Sequence, residues 1–68
     1  MPTLNSLNET QIGRTYQIIF DEENLKNPAN AELNGQIIEL KDSDYYYLWK
    51  FKLAGKNYKL KEILYTEG

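Results

Sequence analysis

Apolar and polar positions change rhythm along the chain. From Thr15 to Phe20, Tyr16, Ile18 and Phe20 alternate with Gln17 and Ile19, the two-residue period of a strand buried on one face and partly covered on the other. Gln36 to Lys41 repeats the pattern, with Ile38 and Leu40 on one face and Ile37, Glu39 and Lys41 on the other. The longest run, Tyr45-Tyr46-Tyr47-Leu48-Trp49-Lys50-Phe51-Lys52-Leu53, is predicted as a third strand. On that reading Tyr45, Tyr47, Trp49, Phe51 and Leu53 face a core, while Tyr46, Leu48, Lys50 and Lys52 face out.

The intervening segments are rich in turn formers. Asp21 to Gly35 contains Asn24, Asn27, Pro28, Asn30 and Asn34, which predicts a long loop of fifteen residues rather than a helix, anchored by Leu25, Ala29, Ala31 or Leu33. Asn34-Gly35 turns the chain into the second strand, and Lys41-Asp42-Ser43-Asp44 forms a short polar turn before the aromatic run. Gly55 suits the first central position of a tight hairpin turn, where a positive φ is needed. That hairpin sets Leu53 opposite Tyr58 and Phe51 opposite Leu60 inside, and Lys52 opposite Lys59 and Lys50 opposite Lys61 outside. Alternation falters at Lys61-Glu62-Ile63, which reads as a single 3-10 turn before a short last strand around Leu64 to Thr66. Residues 1–12 show no sustained period and read as an N-terminal tail, with at most one helical turn over Ser6 to Gln11 that docks Leu4 or Leu7, so residues 13–68 form the single predicted domain.

Composition narrows the chemistry. A chain of 68 residues lies near the lower limit for a self-supporting apolar core, and it contains neither Cys nor His, so disulfides, thiol nucleophiles, imidazole bases and the common zinc sites are all missing. Charged residues make up 26% and aromatic residues 13%, a balance that favours a packed core over disorder. No membrane span and no signal-peptide pattern is visible, and a soluble, cytoplasmic protein is expected. The net charge of −2 conceals an asymmetry: residues 1–44 carry three basic against eight acidic groups, net −5, and residues 45–68 carry five against two, net +3. Such a dipole serves mainly self-attraction and solubility, and secondarily the steering of a partner.

Five short strands with a long first loop, a tight third turn and a brief helical turn before the last strand follow the order of the SH3 barrel. Gly35-Gln36-Ile37-Ile38-Glu39-Leu40 resembles the strand after the SH3 long loop, Leu48-Trp49-Lys50-Phe51-Lys52-Leu53 followed by Gly55-Lys56 resembles the tryptophan strand and its distal turn, and Tyr65 occupies the place of the family's final aromatic. The resemblance implies an all-β, five-stranded SH3-like barrel over roughly Ile12 to Thr66. It does not carry the proline-ligand groove. Tyr16-Gln17-Ile18-Ile19-Phe20 replaces the groove's aromatic segment, Leu48 takes the place of its first tryptophan, and Glu62-Ile63-Leu64-Tyr65 lacks its proline. The barrel shape by itself implies no function.

Three surfaces are candidates for binding. Lys50, Lys52, Lys59 and Lys61 would form one strand face, with opposed like charges that cost up to roughly 1 kcal/mol per pair. That face suits nucleic-acid phosphates or, more plainly, discourages aggregation at a sheet edge. Asp21, Glu22, Glu23, Asp42 and Asp44 would gather at the mouth of two loops beside Tyr45 and Tyr46, a setting for a basic peptide or simply a solvated rim, and Tyr65 is the aromatic that the SH3 resemblance leaves as a further partner contact. Asp42-Ser43-Asp44 lacks the further ligands of a calcium loop, and no metal or cofactor is expected. Tyr46 and Leu48 are the outward apolar residues a partner would bury. With Ser6 and Ser43 the only serines and no phosphate-cradling glycine loop, catalysis is not expected. The expected role is a non-enzymatic protein-interaction module or assembly subunit, with a nucleic-acid-binding barrel as the alternative. The wealth of Asn, Lys, Ile and Tyr fits an AT-rich bacterial or phage genome.

Overall fold

A computed structural model describes residues 3–64 of the chain. Along it run β1 (Thr3–Leu4), a 3-10 turn at Leu7–Glu9, β2 (Thr15–Ile19), a second 3-10 turn at Asn24–Lys26, α1 (Pro28–Leu33), β3 (Ile37–Glu39), α2 (Ser43–Lys52) and β4 (Lys59–Ile63). The four strands form one open antiparallel sheet in the order β1-β4-β2-β3. This overturns the all-β, five-stranded SH3-like barrel: the sheet does not close, and helices supply its second layer.

The alternation read in β2 and β3 survives. Tyr16 and Ile18 of β2 and Ile38 of β3 point to one side, with Phe20 and Leu40 just past the strand ends, and Leu60 of β4 lies opposite Ile18. All are buried, and Leu7 and Leu53 close the core from the turn and from the end of α2. Residues 3–10, read as a tail, thus add a strand to the edge of β4 and a leucine to the interior. The Glu9 carboxylate fastens their turn by accepting the backbone N–H groups of Asn5 at 2.7 Å and Ser6 at 3.1 Å.

The largest correction concerns residues 45–53, which form most of a helix rather than an inward-outward strand. Asp42 has extended backbone and its side chain accepts the Tyr45 N–H at 3.1 Å, satisfying one of the donors a helix start leaves free. Lys50 and Lys52 close the last turn, where positive charge suits the carbonyl end of the helix. The spacing Tyr46, Trp49, Leu53 then places three large apolar side chains on the side that packs against the core. With no hairpin, Phe51 does not meet Leu60, and the lysines are not opposed in pairs. Gly55 still takes a positive φ of 74°, but in the turn after the helix, where the Lys56 N–H reaches the Leu53 carbonyl at 3.1 Å.

Asp21 to Gly35 is likewise not a plain loop. Asn27 accepts the Ala29 N–H at 2.9 Å and Pro28 opens α1, the sequence signature of a helix start. The excursion is pinned at its ends: Asn34 Oδ1 accepts the Phe20 N–H at 2.9 Å, and the Gly35 N–H donates to the Ile18 carbonyl at 2.7 Å. The 3-10 turn expected over Lys61-Glu62-Ile63 is absent, because those residues pair with β2 along the length of β4. The last strand expected around Leu64 to Thr66 falls largely outside the described residues.

Candidate functional site

α2 is the element that the core accounts for least. A helix turns once every 3.6 residues, so Asp44, Tyr47, Leu48 and Phe51 lie along one stripe, on the side away from Tyr46, Trp49 and Leu53. The stripe is open to solvent: Phe51 is 81% exposed, Tyr47 63% and Leu48 45%. Ile12, also exposed, lines the same shallow groove as Tyr47 beside the start of α2 and widens the apolar area. Single exposed leucines are ordinary, whereas several large apolar side chains along one helix face make a candidate contact surface.

Rings and cations border the stripe. The Lys50 ammonium lies 6.0 Å from the Tyr47 ring centre, Lys52 4.6 Å from that of Trp49, and Lys41 5.5 Å from that of Tyr45. Tyr46 and Tyr47 meet edge to face with centres 5.3 Å apart. Each of these contacts carries a modest attraction of roughly 0.5–1 kcal/mol at an exposed site. The stripe therefore runs from an acidic end at Asp44 to a basic end at Lys50 and Lys52.

The residues proposed from sequence scatter over the fold. Leu48 is outward, on the stripe. Tyr46 turns toward the body, half-buried, and its hydroxyl donates to Asn8 Oδ1 at 3.3 Å, so it is an anchor of α2 rather than an exposed contact. Asp42 caps α2 and Asp44 lies in its first turn. Asp21 accepts the Asn24 backbone N–H at 3.1 Å and its side-chain amide at 2.7 Å, and Glu22 and Glu23 are exposed beside Lys26. These two acidic groups do not share a mouth: Asp21 follows the end of β2, whereas Leu40 pairs with Arg14 at its beginning, about 16 Å of strand away. Among the described residues no group of three or more carboxylates converges on a point that could hold a metal ion.

The four lysines are also divided. Lys59 and Lys61 flank the buried Leu60 and so project from the sheet face opposite the helices, where Lys61 stands between Thr3 and Gln17. Lys50 and Lys52 ride on α2. Tyr65 lies outside the described residues. Sequence reasoning missed Tyr47, Phe51 and Ile12 as surface residues. The available signal was Asp42 placed three residues before Tyr45, with Tyr47, Leu48 and Phe51 at helical spacing after it.

No helix among the described residues is long and apolar enough to cross a membrane. Comparison with known proteins returned no matching family, no similar curated protein and no similar solved structure, so what this chain resembles rests on its own geometry alone.

Proposed function

We propose that the chain is a non-enzymatic protein-interaction module whose docking face is the outward stripe of α2, Tyr47, Leu48 and Phe51, extended by Ile12. The observation that carries this reading is the exposure of Phe51, 81%, on a helix whose other side packs on the core through the half-buried Tyr46 and Trp49 and the buried Leu53 at its end. A phenylalanine left in water gives up roughly 1.5–3 kcal/mol that burial would return, a reserve available to binding. Aromatic side chains are also the residues that most often dominate interface energies. The absence of His and Cys from the whole chain leaves no imidazole or thiol for proton transfer or nucleophilic attack, which favours binding over catalysis. The nucleic-acid alternative drew on a single four-lysine face, and the division of those lysines between α2 and the far side of the sheet weakens it.

Photo-crosslinking tests the proposal. With p-benzoylphenylalanine in place of Phe51, ultraviolet irradiation in cells is expected to give protein adducts that disappear on Leu48→Lys. The same probe in place of Lys59, on the far sheet face, is expected to give none. No adduct from position 51, or equal adducts from both positions, rejects the docking face.

A further inference from the structure

We infer that the occupant of the α2 stripe is the α2 stripe of a second copy, packed antiparallel about a two-fold axis. The inference rests on the reading of that stripe as a docking face and goes beyond it by naming the partner. Asp44 stands at one end of the stripe and Lys52 flanks the other, eight residues apart, which is about 12 Å along a helix axis. An antiparallel pair centred on Leu48 sets Leu48 against the partner's Leu48 and Phe51 level with the partner's Tyr45. It also brings Asp44 opposite the partner's Lys52, and two-fold symmetry repeats that ion pair at the other end. A parallel pair would instead align Asp44 with Asp44 and Lys52 with Lys52, as well as the two helix dipoles head to head.

The charge order alone would not carry the inference, since acids at a helix start and lysines at its end also complement that helix's own dipole. What adds to it is the apolar patch between the two charges, self-complementary in the same orientation that pairs them. The Lys52 ammonium rests 4.6 Å from the ring centre of Trp49, on the packed side of the helix, and leaves that ring to reach the facing Asp44 carboxylate when the pair forms. Tyr47, Leu48, Phe51 and Ile12 together offer on the order of 400 Å² of apolar surface per copy, within the roughly 300–600 Å² of a typical monomer's largest patch. Two such faces bury less than the roughly 1,200 Å² of a standard stable interface, so the dimer is weak and depends on concentration.

Sedimentation equilibrium on the whole chain between about 10 μM and about 1 mM, the range suited to so small an interface, is the test. The wild type is expected to pass from monomer to dimer, and Phe51→Glu to remain monomeric. Asp44→Lys and Lys52→Asp are each expected to weaken the dimer about tenfold, because each turns two attractive pairs into repulsive ones. Mixing these two variants restores both pairs, so a heterodimer tighter than either homodimer is expected, a result that a merely misfolded variant would not give. A wild type that stays monomeric to about 1 mM overturns the inference, as does a dimer indifferent to Phe51→Glu or to the two charge reversals. The two readings fail separately: a monomeric wild type whose position 51 still crosslinks to other proteins rejects self-association alone, whereas no adduct from position 51 rejects both.

Discussion

The Tyr58 hydroxyl accepts the Leu7 backbone N–H at 2.9 Å across 51 positions of sequence, so the turn that brings Leu7 into the core is held by the segment entering β4. The Leu7 amide opens a 3-10 turn and has no partner within it. Tyr58→Phe removes the acceptor and keeps the ring, and it is expected to lower stability by about 1–3 kcal/mol, the cost of a half-buried donor left unpaired. Urea denaturation measures it, and a midpoint equal to wild type would mean that water replaces the hydroxyl without loss.

Helix α2 packs on the core through Tyr46, Trp49 and Leu53, and its cap at Asp42 adds to what holds it. Asp42→Ala is expected to cost about 1 kcal/mol and Asp42→Asn only a few tenths, since asparagine keeps the accepting oxygen. Amide exchange at Tyr45 and Tyr46 should quicken selectively in the alanine variant. Uniform acceleration over the whole chain would place the loss elsewhere.

Phe51 and Leu53 separate the helix from the hairpin. In the helix Phe51 is 81% exposed and Leu53 2%, so Phe51→Gln should change unfolding free energy by no more than about 0.5 kcal/mol, while Leu53→Ala should cost about 2–4 kcal/mol. A strand with both residues inward would make both substitutions severe. Chemical denaturation of the two variants, at concentrations where the chain is monomeric, decides between these outcomes.

The ion pair between Arg14 and Glu62, 2.8 Å long, joins β4 to the residue before β2. The Arg14 side chain is about half exposed, so water and salt screen the pair. Arg14→Ala is expected to cost less than about 1 kcal/mol, with the difference from wild type shrinking at high ionic strength. A larger loss, insensitive to salt, would mean that the arginine stem contributes by packing.

Parts of this fold were legible in the sequence. Tyr16, Ile18 and Ile38 alternate with the more exposed Gln17, Ile19, Ile37 and Glu39 and face inward as the pattern predicts, and Leu60 faces the core from β4 as the predicted hairpin also has it. Strand periodicity is decisive there because one face of each segment is dry and the other wet. It misled at Tyr45 to Leu53, where apolar residues occupy seven of nine positions and a period of two and a period of 3.6 both find matches. Aromatic residues favour strands in isolation, and the deciding information lay outside the run, in Asp42 as a cap and in the lysines at its close. Asn27-Pro28 was similarly a helix start read as loop punctuation. The surface stripe could not be found until the period was right, since the strand reading turned Phe51 and Tyr47 inward and Tyr46 outward, the reverse of where each lies.

The chain has one tryptophan, and it stands half-buried on the packed side of α2, under the ammonium of Lys52. Indole emission responds both to hydration and to a nearby positive charge, so the protein carries its own optical gauge on α2. Melting of the core and occupation of the helix surface can each be followed by that light without attaching a dye.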